Sequence, residues 1–231
     1  MKLPLRPRLM VTSLVLLTVG TIVAVGLYAL LIKAEAASIL ADVSRIRAGT
    51  STLVDVEKLA EKHKRHLRWS GREADGGDRI HYGFEIRNTL LSYLRLEPAA
   101  KFDAWVTVNN GTVQSLHLDL MRDTRVFPTS PSAGMVEEYV QYPSAYRAGE
   151  THYGFPTPIG KPYLLVVLDS KATPEQREHA YALSLTCLIK PGGGCDLPCD
   201  YLPLAWRDWE VELKSHGWGF GDHYPSRARC K

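Results

Sequence analysis

The sequence predicts an α+β protein with an N-terminal transmembrane helix, two short helices, an antiparallel sheet and a C-terminal helix. Three observations carry that prediction. Residues 9–32 form an uncharged run of mostly Leu, Val, Ile, Ala and Thr. From Ile80 onward the hydrophobic period changes from helical to two, the mark of half-buried strands. Asn109-Asn110-Gly111-Thr112 then stands between two alternating runs, and Asn-Gly in that setting is the strongest short-range hairpin signal.

As a helix, the run at 9–32 is about 36 Å long, enough to cross a hydrocarbon layer of about 30 Å with some tilt. Arg8 and Lys33 close it on either side, as expected of charges that stay among the headgroups. The chain therefore divides into a cytoplasmic tail at 1–8, a membrane span at 9–32 and an extracytoplasmic domain at 33–231. A cleaved signal peptide is the rival reading, resting on the A-x-A-like site Ala34-Glu35-Ala36 behind a basic start. The apolar run exceeds the roughly 7–15 residues of a signal core, and Lys33 separates it from that site, so an uncleaved anchor is expected. A lipoprotein is not, because no Cys precedes Cys187. Charge leaves the orientation open: Lys2, Arg6 and Arg8 on one flank face Lys33, Arg45 and Arg47 on the other. The four cysteines, all at or beyond Cys187, suit an oxidising space and place the domain outside, in the cell membrane by a single pass.

Without the basic residues of the tail, the chain carries 25 Lys+Arg against 25 Asp+Glu. That balance excludes a general nucleic-acid binder, which needs a basic domain. The apolar content, with five Trp and eleven Tyr, suffices for one core.

After the span, Ile39, Leu40, Val43 and Ile46 recur at helical spacing, and Gly49 offers a stop. Thr52 with Asp55 makes a capping-box-like start for a second helix, whose stripe of Leu53, Val56, Ala60, His63 and Leu67 ends before Ser70-Gly71. Arg72 to Arg79 reads as a polar loop. Ile80, Tyr82, Phe84 and Ile86 alternate with polar partners as a strand. The runs at 102–108 and 113–118 flank the Asn-Gly turn. Met135 to Tyr142 is a further strand, after a Pro/Ser-rich loop at 127–132. The continuous apolar run Tyr163 to Leu168 suggests a central strand. Thr173-Pro174-Glu175-Gln176 opens a helix with an N-cap, Pro at N1 and an acidic first turn, expected to continue to about Leu188. Helices, then antiparallel strands, then a helix give the α+β class.

The stretch Ala48-Gly49-Thr50-Ser51-Thr52-Leu53-Val54-Asp55-Val56 is similar, with one residue more before the acidic position, to the G-x-[ST]-x-x-[DE]-V start of BamE-type outer-membrane assembly lipoproteins and of β-lactamase-inhibitor-protein-like domains. Those fold as two helices followed by an antiparallel sheet, so the resemblance implies the same order here; the lipobox Cys of the BamE type is missing. Residues 51–60, 88–99, 173–181 and 185–195 resemble a family of membrane-anchored, acidobacterial-type bacterial proteins. That resemblance implies an envelope protein and no particular activity.

Cys187, Cys195, Cys199 and Cys230 are the most specific local chemistry, and four cysteines allow three pairings. The expected set is Cys187–Cys195, closing the turn at 190–194, and Cys199–Cys230, holding the C-terminus. The alternative is a metal site of Cys187, Cys195 and Cys199 with His216 or His223, although a second short Cys pair of zinc-site type is absent from the sequence. Lys62-His63-Lys64-Arg65-His66-Leu67-Arg68 could attract anionic lipid, but reads first as a solvated helix face with His63 half-buried. Gly217-Trp218-Gly219-Phe220-Gly221 lacks the following helix of a phosphate loop. Asp222-His223 has no recognisable nucleophile elbow to serve. Asn110-Gly111-Thr112 fits a glycosylation sequon formally, and the hairpin already explains it.

No catalytic, cofactor-binding or metal-binding residue stands out, and no cofactor is expected. The function class these features favour is a non-enzymatic binding module of the cell envelope, whose partner is an envelope protein or envelope polymer. An envelope hydrolase with a fold-assembled His/Asp site and a secretion-system subunit are the alternatives.

Overall fold

In the computed structural model, residues 6–72, 78–89, 100–122, 132–138, 152–154, 163–169, 172–190, 195 and 197–215 are described. Helix α1 (Arg6–Val43) runs unbroken through the apolar stretch and on beyond it. Lys33-Ala34-Glu35-Ala36-Ala37 contains only good helix formers and no Gly or Pro, so nothing stops the helix at the end of the apolar stretch. The first of the two expected short helices is therefore the C-terminal end of α1. Large side chains between Val11 and Leu31 are mostly exposed, whereas Ile32, Ala36, Ile39 and Val43, spaced along one face, are buried. The same helix thus changes from an apolar surface to a core element, and Tyr28 already packs against the core. Gly49 sits past the helix end at φ 81°, a left-handed conformation that glycine adopts without steric cost. Its N–H donates to the Val113 carbonyl at 2.8 Å.

Helix α2 (Leu53–Lys62) starts as the sequence predicts. The Thr52 N–H donates to the Asp55 carboxylate at 2.9 Å, a bond that holds the Asp55 carboxyl below its usual pKa. It stops at His63, whose N–H closes the last turn on Leu59 at 3.0 Å. Leu67, expected on the stripe of α2, instead begins a strand, β1 (Leu67–Arg72). Nonlocal pairing with the next strand overrides the local helical spacing there.

Among the described residues the sheet has seven strands, in the order β1-β2-β3-β4-β5-β7-β6. Strands β2 (Arg79–Asn88), β3 (Ala100–Asn109) and β4 (Thr112–Arg122) form its antiparallel centre. The expected hairpin joins β3 to β4, with Asn110 at φ 50° and Gly111 at φ 75°, both positive as a type I′ turn requires. Strand β5 (Ser132–Glu138) follows antiparallel, and the rest of the strand expected to Tyr142 lies outside the described residues.

Two expectations about the sheet are corrected. It is mixed, not wholly antiparallel, because β7 (Tyr163–Asp169) runs parallel to β5; β6 (His152–Gly154) lies between them in the chain and runs antiparallel to β7, so the chain enters β7 in the direction of β5. Nor is β7 central, since β6 pairs beyond it as the edge.

Helix α3 (Pro174–Tyr181) has the predicted N-cap at Thr173 with Pro at N1, and the structure completes it as a capping box, with Thr173 N–H to Gln176 Oε1 at 2.8 Å and Gln176 N–H to Thr173 Oγ1 at 3.2 Å. It does not reach Leu188: Ala182 leaves the helix at ψ 52°, and a separate 3-10 turn covers Leu185–Leu188. Two helices absent from the sequence reading follow, α4 (Pro198–Tyr201) and α5 (Pro203–Ser215).

Strand parity decides the layers. Phe84, Ile86, Phe102, Ala104, Val106, Leu116, Leu118, Met135, Leu164 and Val166 point to one face and are buried. The end of α1, α2, the 3-10 turn and α5 contribute Ile39, Val56, Leu188 and Trp206 to the same core. Helices therefore cover one side of the sheet, while the opposite parity carries the exposed side chains of β1 to β4.

Candidate functional site

On the opposite face, against which none of the described helices packs, cross-strand register sets Trp69 opposite Gly83, and Gly83 opposite Trp105. A Cβ on Gly83 would lie 2.7 Å from the Trp105 ring, so glycine there lets the indole lie directly over the backbone of β2. The Trp69 ring covers Gly71 in the same way, 3.5 Å from where a Cβ would be. The two indole centroids are 6.2 Å apart, tilted by 48°, and His81 stacks 5.5 Å from Trp69. His81 is held by the Thr107 hydroxyl at 3.1 Å. Despite these supports Trp69 and Trp105 remain 43% and 40% exposed, so each keeps an open aromatic surface on a rigid sheet.

Beside the aromatic group runs a charged strip. Lys101 Nζ lies 2.5 Å from Asp103 and 3.3 Å from Glu85. Arg87 and Arg68 approach the same Glu85 at 3.4 and 3.7 Å. Asp103 faces Asp119 directly across β3 and β4, and His117 lies 3.2 Å from Asp119. Burial raises the Asp103 pKa above its ordinary value, against the pull of Lys101. The Asp119 carboxylate raises that of His117.

Two other polar clusters are structural. Glu137, 1% exposed, is ion-paired with Arg177 and accepts from the Tyr181 hydroxyl and the Ala48 N–H, both at 3.1 Å. Arg177 also donates to the carbonyls of Ser44 and Ile46 at 3.2 Å. The cluster ties the segment after α1 to β5 and α3, and its burial pushes the Tyr181 phenol far above its ordinary pKa. Asp42 takes Lys62 at 2.6 Å and His63 at 2.7 Å, joining α1 to the end of α2. His63 is buried at this junction, more deeply than the half-buried position the sequence suggests.

Cys187 and Cys195 are joined in a disulfide with Cα atoms 5.7 Å apart, which removes both from the alternative metal set. Cys199 is also disulfide-bonded; Cys230, its expected partner, lies outside the described residues, as do His216, His223, Asp222 and the run at 217–221. The basic stretch at 62–68 does not act as one patch: Lys62 serves Asp42, Lys64 pairs with Glu61 at 2.9 Å, and His66 with Glu35 at 3.3 Å. The Trp69–Trp105 pair was missed by sequence reasoning. Its one local signal is Trp105 standing at the outward parity between inward Ala104 and Val106.

Comparisons with protein-family models, curated proteins and solved structures find no match to this chain.

Proposed function

We propose that this chain is a single-pass, membrane-anchored binding protein of the cell envelope, and that its extracytoplasmic domain holds a saccharide-bearing envelope polymer on the uncovered sheet face. The observation that carries this reading is the Trp69–Trp105 pair, half-exposed yet fixed by glycine, His81 and each other. Large aromatic side chains dominate binding energy where they are rigid and partly open. An indole face receives the C–H face of a pyranose ring, and the neighbouring Glu85 and Asp119 carboxylates accept hydrogen bonds from its hydroxyls.

The anchor reading is supported by α1 itself. Cleavage after Ala36 would fall inside a continuous helix and remove Ile32 and Ala36 from the core. The Cys187–Cys195 disulfide supports an oxidising location for the domain.

The test is co-sedimentation of the detergent-solubilised full chain with insoluble cell-wall glycan, with tryptophan fluorescence as the second readout. Binding is expected, and Trp105→Ala should reduce it at least tenfold while the disulfide and circular dichroism stay unchanged, an effect of about 1.4 kcal/mol or more. Equal binding by this variant overturns the assignment of the face. The Asp103–Asp119 juxtaposition favours a hydrolase as the second reading; soluble glycan fragments released by the wild type but not by Asp103→Asn would establish it instead.

A further inference from the structure

We infer that the membrane-proximal end of the domain is a cationic rim that binds anionic phospholipid headgroups. The inference rests on the reading of α1 as a retained anchor, and it comes from how the fold sorts charge along that helix. Lys33 directly follows the apolar run, and its Nζ lies 3.1 Å from the Thr186 hydroxyl. Glu35 contacts His66 at 3.3 Å. These contacts bring the 3-10 turn and the start of β1 to within about one helical turn, roughly 5 Å, of the end of the span. Asn88, at the end of β2, donates to the Leu188 carbonyl at 2.8 Å and faces Ala100 at the start of β3. The hairpin at Asn110-Gly111 lies at the opposite end, where Gly111 accepts from Leu53 at 2.9 Å.

The strand ends nearest the bilayer therefore hold Arg68 on β1, Arg87 on β2 and Lys101 on β3, with Arg65 beside His66 and Lys33 on α1. Five cations from four parts of the chain lie at that end, although the domain as a whole is formally neutral. Glu85 is shared by Arg68, Arg87 and Lys101, and Lys101 also pairs with Asp103, so two carboxylates serve three cations, and Arg68 and Arg87 stay 67% and 43% exposed. Tyr28 packs on the domain from within the span, so the rim meets the headgroup layer with no intervening linker. Charge complementarity then selects anionic over zwitterionic lipid, because each juxtamembrane cation strengthens attraction to an anionic surface about fivefold.

The experiment is amine labelling of the full chain in nanodiscs of phosphatidylcholine alone or mixed with phosphatidylglycerol. Labelling of Lys33 and Lys101 should slow about fivefold or more in the anionic discs, with Lys58 on α2 unchanged. High salt or the double substitution Arg65→Glu, Arg68→Glu should abolish the difference. Equal labelling of Lys33 and Lys101 in the two discs, or an equal slowing at Lys58, overturns the rim. Extraction of the chain from native membranes by alkaline wash overturns the anchor, and the rim with it.

Discussion

Replacing Arg177 with Met tests what holds the end of the long N-terminal helix to the domain. Arg177 is the cation among the described partners of Glu137, whose carboxylate is 1% exposed. Removing one side of a buried ion pair leaves an uncompensated charge and costs about 3–5 kcal/mol. The Ser44 and Ile46 carbonyls, each 3.2 Å from the guanidinium, also lose a donor, adding about 1 kcal/mol where water replaces it incompletely. The total, about 4–6 kcal/mol, is a large part of the roughly 5–15 kcal/mol that stabilises a typical domain. Adding Glu137→Gln to Arg177→Met removes the stranded charge while keeping a partner for Ala48 and Tyr181, and should recover about 2 kcal/mol. Urea titration of the full chain in detergent, followed by tryptophan fluorescence, measures both. A cost below about 1 kcal/mol for Arg177→Met, or no recovery in the double variant, would refute the account.

His117 has its pKa raised by Asp119, so their interaction stabilises the fold fully below the unfolded His pKa and is lost as pH rises through the folded value; Asp119→Asn should move its NMR titration down toward 6.5, and an unmoved midpoint contradicts the pairing. Gly83→Val should displace Trp105, since even a Cβ would approach its ring to 2.7 Å; a cost of about 1–3 kcal/mol and lost fluorescence response to glycan are expected, whereas wild-type behaviour in both argues against the cradle. Reduction of Cys187–Cys195, a short loop with sequence separation 8, should cost somewhat less than about 3 kcal/mol; non-reducing mass spectrometry that finds four free thiols would overturn the pairing. A reporter active only outside the cytoplasm, fused after Lys231, should be active, and activity of a cytoplasmic reporter there reverses the orientation.

What was legible in the sequence was local. The Asn110-Gly111 turn, the capping boxes at Thr52 and Thr173 and the alternation through β2 to β4 involve neighbours within a few residues. The rest depends on partners far away in the chain. Leu67 continues a helical stripe by spacing, and only pairing with Phe84 across β1 and β2 makes it a strand residue. The parallel step between β5 and β7 depends on β6 taking the edge beyond β7, which no short window contains. Leu202, Ala205, Trp206 and Trp209 did carry helical spacing, all buried, and α5 was readable there. The candidate face was half legible: outward parity exposes Trp105, but its meeting with Trp69 over Gly83 follows from the register of three strands. The proposed cationic rim was legible in part, in Lys33 and the basic stretch at 62–68; that Arg87 and Lys101 join it was not, since a balanced total charge says nothing about where a fold gathers it.

The unbroken course of α1 also has a mechanical consequence. A domain tethered by a flexible linker sweeps a volume and averages its orientations; one built onto the membrane helix itself behaves as a fixed bracket. With α1 anchored as proposed, the indole pair is held at one height and one bearing relative to the bilayer, within roughly 35 Å of its surface, about the length of a ten-residue strand. Only material in that thin layer is within reach. Because Ile32, Ala36, Ile39 and Val43 lock the helix into the core, a sideways load on the sheet becomes a tilt of the span rather than a swing of the domain.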